Sequence, residues 1–288
     1  MVTNTAKYTM NNFDTEFPND DACLEYILHS RWPNGIKCSE CGVVTKHHRV
    51  TGRPCFECDY CGHQVYPTAG TVFHKSSTSL RTWFQSMYLM SSTRCGISAK
   101  QIQRETGVTY KTAWRIFKQI RSLLDENYPQ FTKEVEVDET YVGGKRHGTR
   151  GRGAEGKTPV VGIVERKGKV IAKVTSDVSS QTILPMITNN IVPQTTVYTD
   201  EFSSYNKVAK LGYKHLIVRH ADKIYVNGEA HTNTIEGFWS LVKRGIDGVY
   251  HAVSPKYLQN YVDEYSFRYN HRKDEQPMFK TFLDQIQP

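Results

Sequence analysis

The sequence predicts a multidomain α+β protein: a small metal-held N-terminal module, a helical middle, and a C-terminal α/β domain with a mixed sheet. Three observations predict it. Paired cysteines crowd into positions 38–61, and apolar residues then recur at helical steps from Ser79 to Leu124. Beyond Tyr128-Pro129 the period falls to two. A chain of 288 residues is long enough for two or three domains and at least one sizeable core. The expected segments are 1–75 for the N-terminal stretch and cysteine module, 76–128 for the helices, 129–275 for the α/β domain, and 276–288 for a tail.

A formal net charge of +8 and a pI near 9.0 favour a polyanionic partner, with nucleic acid ahead of a membrane surface. No run of about 18 apolar residues is present, so no membrane partner is expected. Residues Met1 to Lys7 lack the apolar core of a signal peptide. A cytoplasmic location is expected, where seven cysteines do not form disulfides.

Cys38-Ser39-Glu40-Cys41-Gly42 and Cys58-Asp59-Tyr60-Cys61-Gly62 are two C-x-x-C-G knuckles separated by 16 residues. Each supplies two thiolates from one tight turn, and the glycine lets the backbone fold close to the sulfurs. Four thiolates close a tetrahedron around Zn²⁺, so Cys38, Cys41, Cys58 and Cys61 are expected to hold a structural zinc in a zinc ribbon. Cys55 stands three residues before Cys58 without a knuckle of its own. Cys23 and Cys95 are expected to be buried thiols.

Leu80, Trp83, Phe84, Met87, Tyr88 and Met90 recur at steps of mostly three and four, which predicts an amphipathic helix from Ser79. Ser98 and Gln101 read as a capping box for a second helix ending at Gly107. Thr109 caps a third helix carrying Ala113, Trp114, Ile116, Phe117, Ile120 and Leu123-Leu124. Helix, glycine turn, helix is a helix-turn-helix outline, which would present Tyr110, Lys111, Thr112 and Arg115 to a DNA major groove.

Alternation from Lys133 to Val142 predicts a strand bearing Asp138, with Glu139 on its opposite face. The Gly-rich stretch from Gly143 to Lys157 carries Lys145, Arg146, Arg150 and Arg152, suited to tracking phosphates. Val160–Glu165 and Val170–Val174 flank a hairpin signature at 166–169. A helix over 181–191, kinked or interrupted at Pro185, precedes a strand ending at Asp200. Another helix, a strand at 215–218 and a helix from Asn233 follow. Glu236 and Lys243 lie on one face of that last helix. Two acids on strands and one on a helix can converge on divalent metal.

The order of elements resembles the ribonuclease H-like fold. More specifically, Val137-Asp138-Glu139-Thr140-Tyr141-Val142-Gly143-Gly144, Tyr198-Thr199-Asp200 and His231-Thr232-Asn233-Thr234-Ile235-Glu236-Gly237-Phe238-Trp239 resemble the DDE-type insertion-sequence transposases of prokaryotes. The likeness is to the group with an N-terminal zinc ribbon. The 35 residues between Asp200 and Glu236 and the Glu236-x6-Lys243 step are similar to that group's spacings. Thr68-Ala69-Gly70-Thr71-Val72-Phe73 and Phe267-Arg268-Tyr269-Asn270-His271-Arg272 also match, so the likeness covers about 15–275.

The resemblance implies a ribonuclease H-like catalytic domain in which Asp138, Asp200 and Glu236 hold two Mg²⁺ or Mn²⁺ ions about 4 Å apart. Asn233 is the alternative third position. Lys243 would contact transposon-end phosphate. Double-stranded DNA, as element ends and target, and a homodimer or higher oligomer in the synaptic complex are the implied partners. Association with the nucleoid follows. Two other functions fit the same motifs: a zinc-ribbon regulator with an inactive nuclease-like domain, and a nuclease or resolvase that cuts without joining.

Overall fold

The computed structural model describes residues 8–143, 156–218 and 231–286. The chain folds as two compact units, Met1–Leu123 with Lys273–Pro288, and Leu124–Arg272. Among the described residues no helix is long and apolar enough to cross a membrane.

The first unit opens with two short helices that the periodicity did not predict, α1 (Met10–Glu16) and α2 (Asp20–Arg31). Thr9 and Asn19 cap them by accepting backbone N–H groups from Asn12 and Ala22. Three short strands, β1 (His47–Arg49), β2 (Phe56–Cys58) and β3 (Gln64–Val65), form an antiparallel ribbon in that order. Helices α3 (Leu80–Ser92), α4 (Ala99–Thr106) and α5 (Tyr110–Ser122) follow. Ser98 and Thr109 accept the N–H groups of Gln101 and Thr112, and Gly107 ends α4 at φ +72°.

The second unit is built on a five-stranded sheet. Its strands are β4 (Val135–Val142), β5 (Thr158–Glu165), β6 (Val170–Val174), β7 (Thr196–Asp200) and β8 (Lys214–Val218), in the order β6-β5-β4-β7-β8. The first three form an antiparallel meander, while β7 runs parallel to β4 and β8 parallel to β7. Helix α6 (Ser180–Asn190) runs through Pro185. The bond lost at that proline would have been to the carbonyl of Gln181, and both residues lie on the exposed side.

The helix expected between β7 and β8 is replaced by two 3₁₀ turns, Ser203–Tyr205 and Ala209–Leu211. Phe202, Tyr205, Val208 and Leu211 recur every three residues, the period of that tighter turn. Helices α7 (Asn233–Gly245) and α8 (Pro255–Asn270) close the unit.

One sheet face packs Val135, Val137, Val161 and Ile163 against Ile183 and Ile187 of α6. The other packs Val142, Val160, Val164 and Val170 against Ile235, Phe238, Val242 and Leu258 of α7 and α8. A central strand flanked by an antiparallel meander on one side and parallel strands on the other, with helices on both faces, is the ribonuclease H-like arrangement.

The terminal segment returns to the first unit as α9 (Met278–Asp284), not as a tail. Phe279, Phe282 and Leu283 are buried. The Phe279 ring stands 5.1 Å from Tyr8 and 5.8 Å from Phe13, so burial of aromatic surface holds the segment in place.

Candidate active site

The two knuckles of the ribbon have the same backbone. The N–H groups of Gly42 and Gly62 donate to the carbonyls of Cys38 and Cys58, each at 2.9 Å. Both glycines have positive φ, +73° and +76°, which a side chain would strain. The four sulfurs of Cys38, Cys41, Cys58 and Cys61 lie within 4.8 Å of one another, with Cys38–Cys61 at 3.6 Å and Cys41–Cys58 at 3.9 Å. A tetrahedron of Zn–S bonds near 2.3 Å separates sulfurs by about 3.8 Å, so the cluster fits a structural zinc. The backbone N–H of Cys41 is the largest of the influences that draw the Cys38 thiol down to about 6. Cys55 is buried outside the cluster, 3.7 Å from Gln64 Oε1. Cys23 is buried as expected, whereas Cys95 is exposed: it lies past the end of α3, in the connection to α4.

On α5, Tyr110, Lys111 and Arg115 are exposed and Thr112 half-buried. Arg115 donates to Thr78 Oγ1 at 2.9 Å and its guanidinium lies 5.7 Å from the Trp83 ring. The Lys100 ammonium stands 4.5 Å from the Tyr110 ring. Lys145, Arg146, Arg150 and Arg152 lie outside the described residues.

In the second unit the side chains of β4 alternate between faces. Glu139 turns toward the α6 side, where it accepts the buried Tyr205 hydroxyl at 2.8 Å. Glu136 and Asp138 turn toward α7. Asp200 ends β7; the β4–β7 register pairs Val135 with Val197 and Glu136 with Tyr198, and carried two residues on it brings Asp200 toward Asp138, close enough for its charge to act on that carboxyl. In-register parallel neighbours point to the same face. Asp200 Oδ1 accepts the Phe202 N–H at 2.9 Å, which fixes the chain as it leaves the strand.

Glu236, in the first turn of α7, is exposed, and its Oε1 accepts the Thr232 hydroxyl at 3.0 Å. Asp138, Glu236, Trp239 and Lys243 are among the residues that line one open groove. Asp200 is not among the residues lining it and adjoins through the sheet. Asn233 is the first residue of α7 and exposed, and it too lies outside the groove lining. Thr232 occupies the cap position of that helix.

Burial first, then the charges of Glu139 and Asp200, pushes the Asp138 carboxyl up to about 7. Hard carboxylate oxygens gathered this way, each making its neighbour's charge more costly, fit a divalent cation.

Sequence reasoning missed Glu136. Its fully buried carboxylate accepts the N–H groups of Thr234 and Ile235 at 2.8 and 3.0 Å and the Thr234 hydroxyl at 2.9 Å. Arg166 Nε donates to it at 2.9 Å while that guanidinium lies over the Tyr198 ring at 3.8 Å and donates to the His231 carbonyl at 2.7 Å. A strand residue thus caps the helix that carries Glu236, in place of Thr232, whose side chain makes no capping bond. The only sequence signal is an acid at an inward strand position, which alternation alone would assign to the core.

A ribonuclease H-like domain with acids crowded on its central strands, in a chain that also carries a four-cysteine ribbon, defines a transposase or nuclease type of enzyme. Residues 130–270 match the ISXO2-like transposase domain and residues 18–64 the transposase zinc-ribbon domain. An uncharacterized protein in transposable element ISH50 of Halobacterium salinarum is 30% identical over 293 residues, covering 93% of this chain and 97% of the relative. An uncharacterized transposase-like protein of Haemophilus influenzae is 29% identical over 104 residues, 36% of this chain and 83% of its own. The chain belongs to the insertion-sequence transposases that combine a zinc ribbon with an ISXO2-like transposase domain.

Among solved structures, it is similar to a chain of the simian T-cell lymphotropic virus intasome in complex with PP2A regulatory subunit B56 gamma. That match has 12% identity, 72% and 73% coverage of the two chains, and a TM-score of 0.33. A chain of the Mos1 strand transfer complex follows at 10% identity, 70% and 74% coverage, and a TM-score of 0.30. At such scores neither likeness bears on the site.

Proposed function

We propose that this protein is a DDE-type DNA transposase in which Asp138, Asp200 and Glu236 hold two Mg²⁺ or Mn²⁺ ions. One observation carries the reading: Asp138 and Glu236 line one groove, and Asp200, at the end of the strand parallel to β4, acts on the Asp138 carboxyl through its charge. Bound there, divalent ions would supply activation of the attacking oxygen and charge stabilisation for the leaving oxygen in phosphodiester cleavage. The protein's own groups orient the strand: Lys243, two turns along the same face of α7 from Glu236, meets a backbone phosphate beside the acids. The ribbon, the first two turns of α5 through Tyr110, Lys111, Thr112 and Arg115, and the basic residues Lys145, Arg146, Arg150 and Arg152 contact duplex DNA. Terminal repeats of the element are cleaved, and the freed 3′-hydroxyl attacks target DNA within a homodimer or larger synaptic assembly. Glu236 is preferred to Asn233 as third ligand because a carboxylate offsets metal charge and an amide does not.

The test uses the full chain with labelled duplexes carrying the element's ends and Mg²⁺. Asp138→Asn and Asp200→Asn are expected to abolish cleavage and strand transfer while end binding in a mobility-shift assay persists. Full cleavage by either variant would remove the site assignment. Cleavage by the unsubstituted chain without joining would favour a nuclease or resolvase, and binding without any nicking a regulator.

A further inference from the structure

Gly162 stands in the middle of β5, directly opposite Asp138 in the antiparallel register. Glycine inside a strand weakens it and marks a place where something approaches closely. Here that neighbour is Trp239 of α7. A Cβ at Gly162 would lie 2.5 Å from Trp239 Cζ2, 2.7 Å from its Cη2 and 2.9 Å from Ile235 Cδ1. The indole therefore fills the space that any other residue at position 162 would claim. From there its Nε1 donates to Asp138 Oδ2 at 3.1 Å. An indole offers one donor and no acceptor, so the bond points one way only. Trp239 also follows Glu236 by three residues, so the same bond ties the helix of the third acid to the strand of the first.

We propose that Trp239, given room by Gly162, is a positioning residue: it holds one oxygen of Asp138 so that the carboxylate keeps a single orientation toward a divalent ion. This rests on the reading of Asp138 as a metal ligand. The terminal torsion of an aspartate is broad and loosely restrained. Tethering Oδ2 to a buried ring removes that freedom before metal arrives, as partners behind metal ligands do elsewhere. A ring serving only as core filling would pack equally well without the N–H.

Trp239→Phe separates these roles, because it keeps an aromatic ring and deletes the donor. Mn²⁺ binding is measured by electron paramagnetic resonance on the zinc-loaded full chain, the Trp239→Phe variant and Asp138→Asn. Asp138→Asn is expected to lose the tight Mn²⁺ site. Trp239→Phe is expected to bind Mn²⁺ about tenfold more weakly, the scale of one hydrogen bond to a charged group, with Gly162→Ala shifting affinity in the same direction.

Unchanged Mn²⁺ affinity in Trp239→Phe, with Asp138→Asn impaired, overturns the positioning role alone. Equal binding by Asp138→Asn and the unsubstituted chain overturns the ligand assignment instead.

If Trp239→Phe fails to fold, the unsubstituted chain labelled with ¹⁵N-tryptophan decides. One of its four indole N–H resonances should move in Asp138→Asn and broaden first on adding Mn²⁺. Four indole signals indifferent to both changes would overturn the inference.

Discussion

Glu136 performs for α7 the task that a local capping side chain performs for α1, α2, α4 and α5. It reaches from another element to satisfy two N–H groups that the helix start leaves open. A fully buried carboxylate survives there because Arg166 and the helix N-terminus both offset its charge. Removing it leaves that guanidinium without its buried partner and two backbone donors unsatisfied. Glu136→Ala is expected to lower unfolding free energy by about 3–5 kcal/mol, measured by urea denaturation. Glu136→Gln keeps acceptor oxygen without the charge and should fall between Glu136→Ala and the unsubstituted chain. Equal stability of all three would deny the capping role.

At the scale of elements, β6 illustrates how an edge strand is covered. Its outward backbone groups are met by side-chain amides of α8. Asn270 exchanges two bonds with the backbone of Val170, at 2.7 and 2.9 Å, and Gln259 accepts the Val174 N–H and donates to the Ala172 carbonyl. A helix thereby occupies an edge that could otherwise template pairing with another chain. Asp263 lies between them, bonded by Gln259 at 2.6 Å and 3.9 Å from Lys173 Nζ. Burial raises its carboxyl to about 6 from an ordinary 3.8. The folded state therefore disfavours the ionised form. That penalty is complete above about 6 and fades as pH falls toward 3.8. Asp263→Asn is expected to stabilise the chain more at pH 8 than at pH 5 in urea melts. A gain that is equal at both values, or larger at the lower one, would contradict this.

At the scale of the whole molecule, the zinc cluster belongs to one compact unit and the acidic groove to the other. The ribbon strands are two or three residues long, too short for independent stability without the metal. A strong zinc chelator is expected to release one Zn²⁺ per chain and melt the ribbon. The sheet signal of residues 124–272 should persist in circular dichroism. Simultaneous loss of both signals would mean that the second unit depends on the zinc.

Legibility follows the range of the interaction. Cysteine knuckles, the Ser98 and Thr109 caps and the alternation through Asp138 are written within a few residues, so local chemistry displays them. Helices α1 and α9 are hidden from a local reading because what buries them is aromatic residues of two distant segments meeting one another. The 3₁₀ turns after β7 were hidden by a three-residue period that reads as a helix until its geometry is seen.

The sequence by itself determined the four-cysteine cluster, the helical middle and the strand that bears Asp138, because spacing and periodicity are properties of contiguous residues. Only the tertiary structure decided what surrounds those acids. Asp200 neighbours Asp138 through strand register, Glu136 grips a helix almost a hundred residues away, and Gly162 clears space for Trp239. Each is a contact between distant segments, fixed by packing across the sheet and invisible to any pattern along the chain.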